Sequence, residues 1–311
     1  MRRDAAVFPV LVTVDRFAPF RNWWRAAMFV VLGFSYWAHA GQVDTRGAAI
    51  DLSLIPEVRS IRPGKPFRVG LRIHHEPGWH TYWRQPGIVG VPVSLTWDLP
   101  AGFHAGPIQW PVPEHVKMGN LNAWGFERDV LLIVEITPPE QLEPRTSIDL
   151  RAKGAWMACE RTCHPGWGDF LVQLPVRPGA APDWDPGNHP VFMETEAALP
   201  QKLKGWTASV STEDDGQNRL RIRSDDPAVR ADPSARWYFY PYTPHVHSDE
   251  PQPVHFPADG SVELTLMPFP IPAPATETLE GLIECSSGLP PGSPNRFAVI
   301  QATWRPTPNA P

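Results

Sequence analysis

Apolar and polar residues alternate along most of this chain with a period of two, as in strands that bury one face. Between Ala49 and Val176 the alternation runs through AIDLSLIP, FRVGLRIHH, VPVSLTWDLP, DVLLIVEIT, TSIDLRAKGAWMAC and DFLVQLPV. PGKP, EPGW, LPAG and TPPE interrupt it, and such Gly/Pro clusters set turns. From Trp206 the pattern resumes in WTASVST, RLRIRS, RWYFYPY, SVELTLM, TLEGLIEC and RFAVIQATW, with Asp214-Asp215-Gly216 as a hairpin turn between the first two. Residues 178–190 are rich in Pro and Gly, and VFMETEAALPQKL then carries the one helical pattern, about two turns from Val191 to Leu199. The chain is therefore expected to be all-β. Two immunoglobulin-like β-sandwich domains, residues 41–178 and 206–311, are joined by a short linker, 179–205, with one short helix.

Composition strengthens that expectation. The 311 residues suffice for two cores. The 39 prolines are incompatible with long helices or many central strands, so short strands and loops must dominate. The 14 tryptophans are expected to fill cores and turns rather than to bind sugars. A formal net charge of −5 gives no basic footprint, and no nucleic-acid partner is expected. Near the N-terminus, Arg21 and Arg25 precede an apolar run from Ala26 to Trp37, and Ala38-His39-Ala40 forms an A-x-A cleavage site. Residues 1–40 read as a signal peptide. Their apolar run is shorter than the roughly 20 residues a membrane span needs. Export delivers the cysteines to an oxidising compartment, where a close pair can hold a disulfide.

Two of the three cysteines lie in WMACERTCHPGWG, as Cys159 and Cys163 with His164 directly after. A tight loop at this spacing can bring two Cα atoms to disulfide distance. The ring is too short to restrict the unfolded chain as a long one would, which makes it an inefficient staple. Three uses remain open on spacing alone: a redox pair, a structural disulfide and a metal clip. As a cation His164 would lower the thiol pKa of Cys163, and as a neutral imidazole it would ligate copper. No second Cys pair or following His pair supplies a zinc pattern. His74-His75 and His245-x-His247 are weaker metal candidates, the latter if its strand placed both rings on one face. Met118 and Met157 add soft sulfur. Cys285 closes the apolar GLIEC stretch and is expected to be a buried, inert thiol.

WMACERTCHPGWGDFLVQLP resembles the active-site segment of the N-terminal periplasmic domain of the thiol:disulfide interchange protein DsbD and its relative ScsB, which is linked to copper tolerance. GWHTYWRQPGIVGVPVSLTWDLPAGFHAGPIQWPVPE and MGNLNAWGFERDVLLIVEI extend the resemblance over Ile50 to Pro175, and more weakly through GLIECSSGLPPG. The resemblance implies that Cys159 and Cys163 are a redox pair, with their closer spacing following the ScsB-like branch. It also implies that Val116, Lys117, Met118 and Gly119 occupy the place of a shielding cap loop, with a residue near Met118 where DsbD has an aromatic. The DsbD aromatic pair beside the cysteines corresponds to His80 and Tyr82, so the histidine is a departure. No cofactor is implied. An alternative reading places Cu(I) on Cys159, Cys163 and His164. A further alternative is a docking protein with an inert disulfide. The sequence to Pro311 contains no C-x-x-C and no electron-transferring membrane domain. The expected donor is therefore a separate membrane electron transporter or thioredoxin-like protein, and the acceptor an oxidised periplasmic protein. The corresponding activity is protein-disulfide reductase-like interchange in the periplasm, of the kind associated with cytochrome c biogenesis.

Overall fold

The computed structural model describes residues 43–179, 181–269 and 278–304; the candidate signal peptide lies outside them. Among the described residues, the first eleven strands are β1 (Val43–Asp44), β2 (Ile50–Pro56), β3 (Phe67–His75), β4 (His80–Gly87), β5 (Ser94–Asp98), β6 (His104–Ala105), β7 (Glu114–Met118), β8 (Leu121–Phe126), β9 (Val130–Thr137), β10 (Ser147–Cys159) and β11 (Cys163–Pro175). Helix α1 (His189–Ala198) follows. Then come β12 (Gln201–Lys202), β13 (Trp206–Thr212), β14 (Asn218–Ser224), β15 (Trp237–Pro241), β16 (Val254–His255), β17 (Val262–Leu266), β18 (Thr278–Cys285) and β19 (Phe297–Trp304). The protein is all-β in class, as the period-two pattern required.

The first eleven strands form two facing sheets. One runs β1-β11-β10-β4-β8-β7, with β5 also paired to β10; the other runs β2-β3-β9-β6. Between them Leu71, Ile73, Leu132, Trp156 and Phe170 are buried, with Val69, Ile136, Leu150 and Val172 filling the far end. Each such side chain contributes roughly 1.5–3 kcal/mol through removal of apolar area from water. The helix covers the outside of the smaller sheet, where Phe192 is fully buried against Leu131 and Ile133 of β9. Arg68 fastens it by pairing with both Glu57 and Glu196, the latter at 2.8 Å, and His189 Nδ1 lies 2.8 Å from Glu57. The helix is thus docked on the first sandwich.

β12 to β19 form one eight-stranded sheet, ordered β15-β18-β19-β13-β14-β17-β16 with β12 beside β19. Asp214-Asp215-Gly216 turns between β13 and β14, with Gly216 at φ +79°, in the region that favours glycine. Apolar side chains from both parts of the chain share one buried cluster: Trp83 and Trp124 meet Tyr240 and Leu282. Ring centroids are 5.8 Å apart for Trp124–Tyr240 and 4.8 Å for Tyr238–Tyr240, in edge-on geometry that aromatic quadrupoles favour. Trp83 and Trp124 are fully buried, so these tryptophans do fill the core. Cys285 is buried too, with its sulfur 3.3 Å from Ser287 Oγ. Among the described residues no helix is long and apolar enough to cross a membrane.

Candidate active site

β10 and β11 run antiparallel in unbroken register and close on Cys159 opposite Cys163, with Glu160 to Thr162 as the turn. The Cα atoms are 4.3 Å apart and the sulfurs are bonded. Directly opposed residues on neighbouring strands share a face, so both sulfurs enter the same small cluster. Their surroundings differ: Cys159 has no exposed surface, whereas Cys163 is only partly buried.

β4 lies beside the end of β10, with His80 opposite Cys159. Strand alternation puts His80 and Tyr82 on one side. The Tyr82 hydroxyl donates to Cys159 Sγ at 3.1 Å, and His80 Nε2 lies 3.4 Å from the Tyr82 oxygen. Burial pushes the Tyr82 phenol up to about 12 and pushes the His80 imidazole down, so neither carries charge at neutral pH. Tyr82 is held from behind by the chain at Gly90, where φ is +93° and any Cβ would collide with the phenol ring.

The β7–β8 hairpin roofs the disulfide. Val116 is buried against Tyr82, Ala123 and Cys159. Met118 Sδ lies 3.4 Å from Cys163 Sγ; a disulfide sulfur carries no proton, so this is packing between polarizable sulfurs. Lys117 is exposed, and Gly119 takes φ +60° at the hairpin tip. No aromatic stands over the sulfurs at this tip; a flexible thioether does.

Both strands of that hairpin are tied to the second part of the chain. Pairing between β4 and β8 slips between Tyr82 and Gly87, and Ser248 and Asp249 satisfy the backbone at Asn122 of β8. The Asn122 N–H and Nδ2–H donate to Asp249 Oδ1 at 3.0 and 2.5 Å. Ser248 Oγ donates to the Asn122 carbonyl at 3.1 Å and accepts from Ile88 N–H at 3.0 Å. On β7, the His115 ring packs 5.1 Å from Tyr238, and its Nε2 lies 3.2 Å from the Tyr240 hydroxyl. That hydroxyl donates to Glu284 at 3.0 Å, and Arg236 and Arg296 hold Glu284 at 2.6 and 2.7 Å. Sequence reasoning missed His115, Ser248 and Asp249, whose only signal is a tertiary approach from more than a hundred residues away.

The remaining candidates lie elsewhere. His164 follows Cys163 in the strand, so the pleat turns it to the opposite face. Its Nδ1–H donates to the Arg46 carbonyl at 2.8 Å, and its Nε2 accepts from the Thr162 hydroxyl at 2.9 Å. His74 is exposed and pairs with Asp129 at 2.7 Å. His75 is buried, with Arg128 O at 2.9 Å and Thr81 Oγ1 at 3.0 Å, and burial lowers it to about 4. His245 and His247 lie in the loop after β15 rather than on a strand, so the shared-face argument does not apply to them. Among the described residues no group of three or more His, Cys, Asp or Glu side chains is placed to hold a metal.

Residues 53–175 match the family model described as "Thiol:disulfide interchange protein DsbD, N-terminal". The N-terminal periplasmic domain of ScsB from Proteus mirabilis aligns at 15% identity with a TM-score of 0.51, covering 86% of this chain and 94% of that one. At that identity the likeness concerns the fold. A protein of unknown function from Porphyromonas gingivalis W83 aligns at 13% identity over 82% of this chain and 99% of its own, with a TM-score of 0.25. No curated protein matches the chain.

Proposed function

With residues 53–175 forming a DsbD-like N-terminal domain, we propose that this chain is a thiol–disulfide exchange module working through Cys159 and Cys163. One observation carries the assignment of roles. Cys159 is sealed and hydrogen-bonded, while Cys163 is partly exposed beneath Met118. An incoming thiolate therefore attacks Cys163 Sγ. The new bond joins the partner's sulfur to Cys163, and Cys159 leaves as a thiolate with the electron pair of the broken bond. A second thiolate on the partner attacks its own sulfur and expels Cys163. The partner ends as a disulfide and the module as a dithiol, having gained two electrons and, from solvent, two protons. Delivery runs the same steps in reverse: Cys163 attacks the disulfide of an oxidised protein and Cys159 resolves the mixed disulfide.

Cys285 is buried in the second core and is not placed to exchange with the pair, and in this reading a thiol partner supplies the electrons. A membrane electron transporter or a thioredoxin-like protein fits the donor, and an oxidised periplasmic protein the acceptor. The export signal read at residues 1–40 supports a periplasmic site for the exchange.

Single-cysteine variants test the roles. Cys159→Ala leaves the accessible sulfur, and its mixed disulfide with an aromatic disulfide reagent is expected to form more than about ten-fold faster than that of Cys163→Ala. Equal rates, or a faster Cys163→Ala, would reverse the assignment. A wild-type pair that stays oxidised below about −300 mV in a thiol redox buffer would mark the bond as structural and end the exchange reading.

The Met118 contact favours a second reading. Once reduced, the two thiolates and the Met118 thioether form a soft donor set suited to Cu(I), with Met118 in the position first expected of His164. A Cu(I) titration of the reduced protein is expected to weaken in Met118→Leu and to be unaffected by His164→Ala. Equal affinity in Met118→Leu and wild type would exclude this set.

A further inference from the structure

Tyr82 offers the one hydrogen bond donated to Cys159 Sγ among the described residues. The hydrophobic residues clustered with Cys159 include Val116, Ala123 and, partly buried, Val89. A thiolate released there without a donor would be poorly stabilised, and a thiol whose pKa is raised by burial leaves slowly. The phenol therefore matters when the disulfide opens, because hydrogen bonds to charged acceptors are about twice as strong as neutral ones.

The Tyr82 oxygen has two neighbours, Cys159 Sγ at 3.1 Å and His80 Nε2 at 3.4 Å, but its hydroxyl carries one proton. The disulfide sulfur can only accept. Both contacts are hydrogen bonds at once only when His80 carries its proton on Nε2 and donates it to the phenol oxygen. The other neutral tautomer would present a lone pair to Tyr82 and draw the hydroxyl away from the sulfur. His80 is 2% exposed and Tyr82 fully buried, so water competes little for either group.

We propose that His80 is a positioning residue: as the Nε2–H tautomer it aims the Tyr82 hydroxyl at Cys159 Sγ, and this pair stabilises Cys159 as the departing thiolate. The inference rests on the exchange reading above and deepens it. No proton need leave either ring. When a partner thiolate bonds to Cys163, the Sγ–Sγ bond breaks, its electron pair stays on Cys159, and the hydroxyl hydrogen bond shortens onto the new charge. In the reverse direction the same bond holds Cys159 as the thiolate that resolves the mixed disulfide.

The test is the rate at which dithiothreitol reduces the disulfide in the full chain, with folding checked by circular dichroism. Tyr82→Phe is nearly isosteric and is expected to slow reduction about ten-fold. His80→Phe is expected to show the same loss, His80→Gln to recover most of it through its amide N–H, and the double Phe variant to be no slower than either single one. A role in packing alone would give additive losses and no rescue by Gln. Nitrogen chemical shifts of the His80 ring in the wild-type protein read the tautomer without any substitution, and Nε2–H is expected. The Nδ1–H tautomer, or a Tyr82→Phe rate equal to wild type, would overturn the inference. If dithiothreitol fails to reduce even the wild-type protein, the exchange reading itself falls. If the wild type is reduced and the variants match it, only the role of His80 and Tyr82 falls.

Discussion

Asp249→Ala should loosen the roof over the disulfide from a distance. Asp249 belongs to the loop after β15, yet it accepts two hydrogen bonds from Asn122 of β8, one from the backbone and one from the side chain. Asn122 pairs with Lys117 across the hairpin, and Leu121 beside it pairs with Met118 over Cys163. Hydrogen bonds to a charged group contribute about 1.5–3 kcal/mol each. Asp249 is partly exposed, and solvent screening brings the two together to about 2 kcal/mol. The hairpin also keeps His115 on Tyr240 and Ser248 on the Asn122 carbonyl, so the variant should fold and open locally. A loss of about 2 kcal/mol corresponds to roughly 30-fold more frequent opening. Amide hydrogen exchange over residues 114–126 is the assay. Val116 and Ala123 should exchange faster by about that factor, while β13 to β19 stay unchanged. Reduction by a bulky protein dithiol should accelerate more than reduction by dithiothreitol. Unchanged protection across 114–126 would refute the idea that the second part of the chain holds this hairpin closed.

Two further outcomes follow from the same geometry. His75 is neutral and buried, with its folded-state value lowered to about 4, whereas an unfolded histidine titrates near 6.5. The unfolded chain thus binds more protons between those values, so this contribution is complete above about pH 6.5 and is lost as pH falls toward 4, amounting to about 3 kcal/mol. Urea unfolding across that window should show the decline, and His75→Gln should flatten it. Gly125→Ala would drive a Cβ into the Thr81 carbonyl, where β8 pairs with β4. A loss of about 1–3 kcal/mol is expected from the forced separation, read as a lower urea midpoint; an unchanged midpoint would mean that β4 and β8 can part without penalty.

Residues that face one way in and one way out were readable from the chain alone. β10, β11, β14 and β19 alternate, and alternation is local information. The tight loop between the cysteines was also local, since Cys159 and Cys163 are close in sequence and Cys159 ends an alternating strand; the structure extends the following strand, read from Asp169, back to Cys163. Resemblance added names for a neighbourhood: the structure brings His80, Tyr82, Val116 and Met118 to the sulfurs and leaves Lys117 and Gly119 exposed. β4 escaped the periodicity reading because His80 to Trp83 are buried on both faces. One face lines the disulfide pocket, and the other joins the core shared with Tyr240. β7 and β8 were missed for a related reason, being short and finished by contacts from residues beyond 237.

The sequence determined the β class, the tight loop and the pair of sulfurs, because strand alternation and a three-residue turn depend on neighbours along the chain. Tertiary structure alone decided which sulfur is sealed and which is open, and put Tyr82 and His80 behind Cys159. It also set Asp249 and His115 as the ties on the roof. Those outcomes depend on which strands lie side by side and which face each buries, and the residues that decide them are separated by tens to more than a hundred positions.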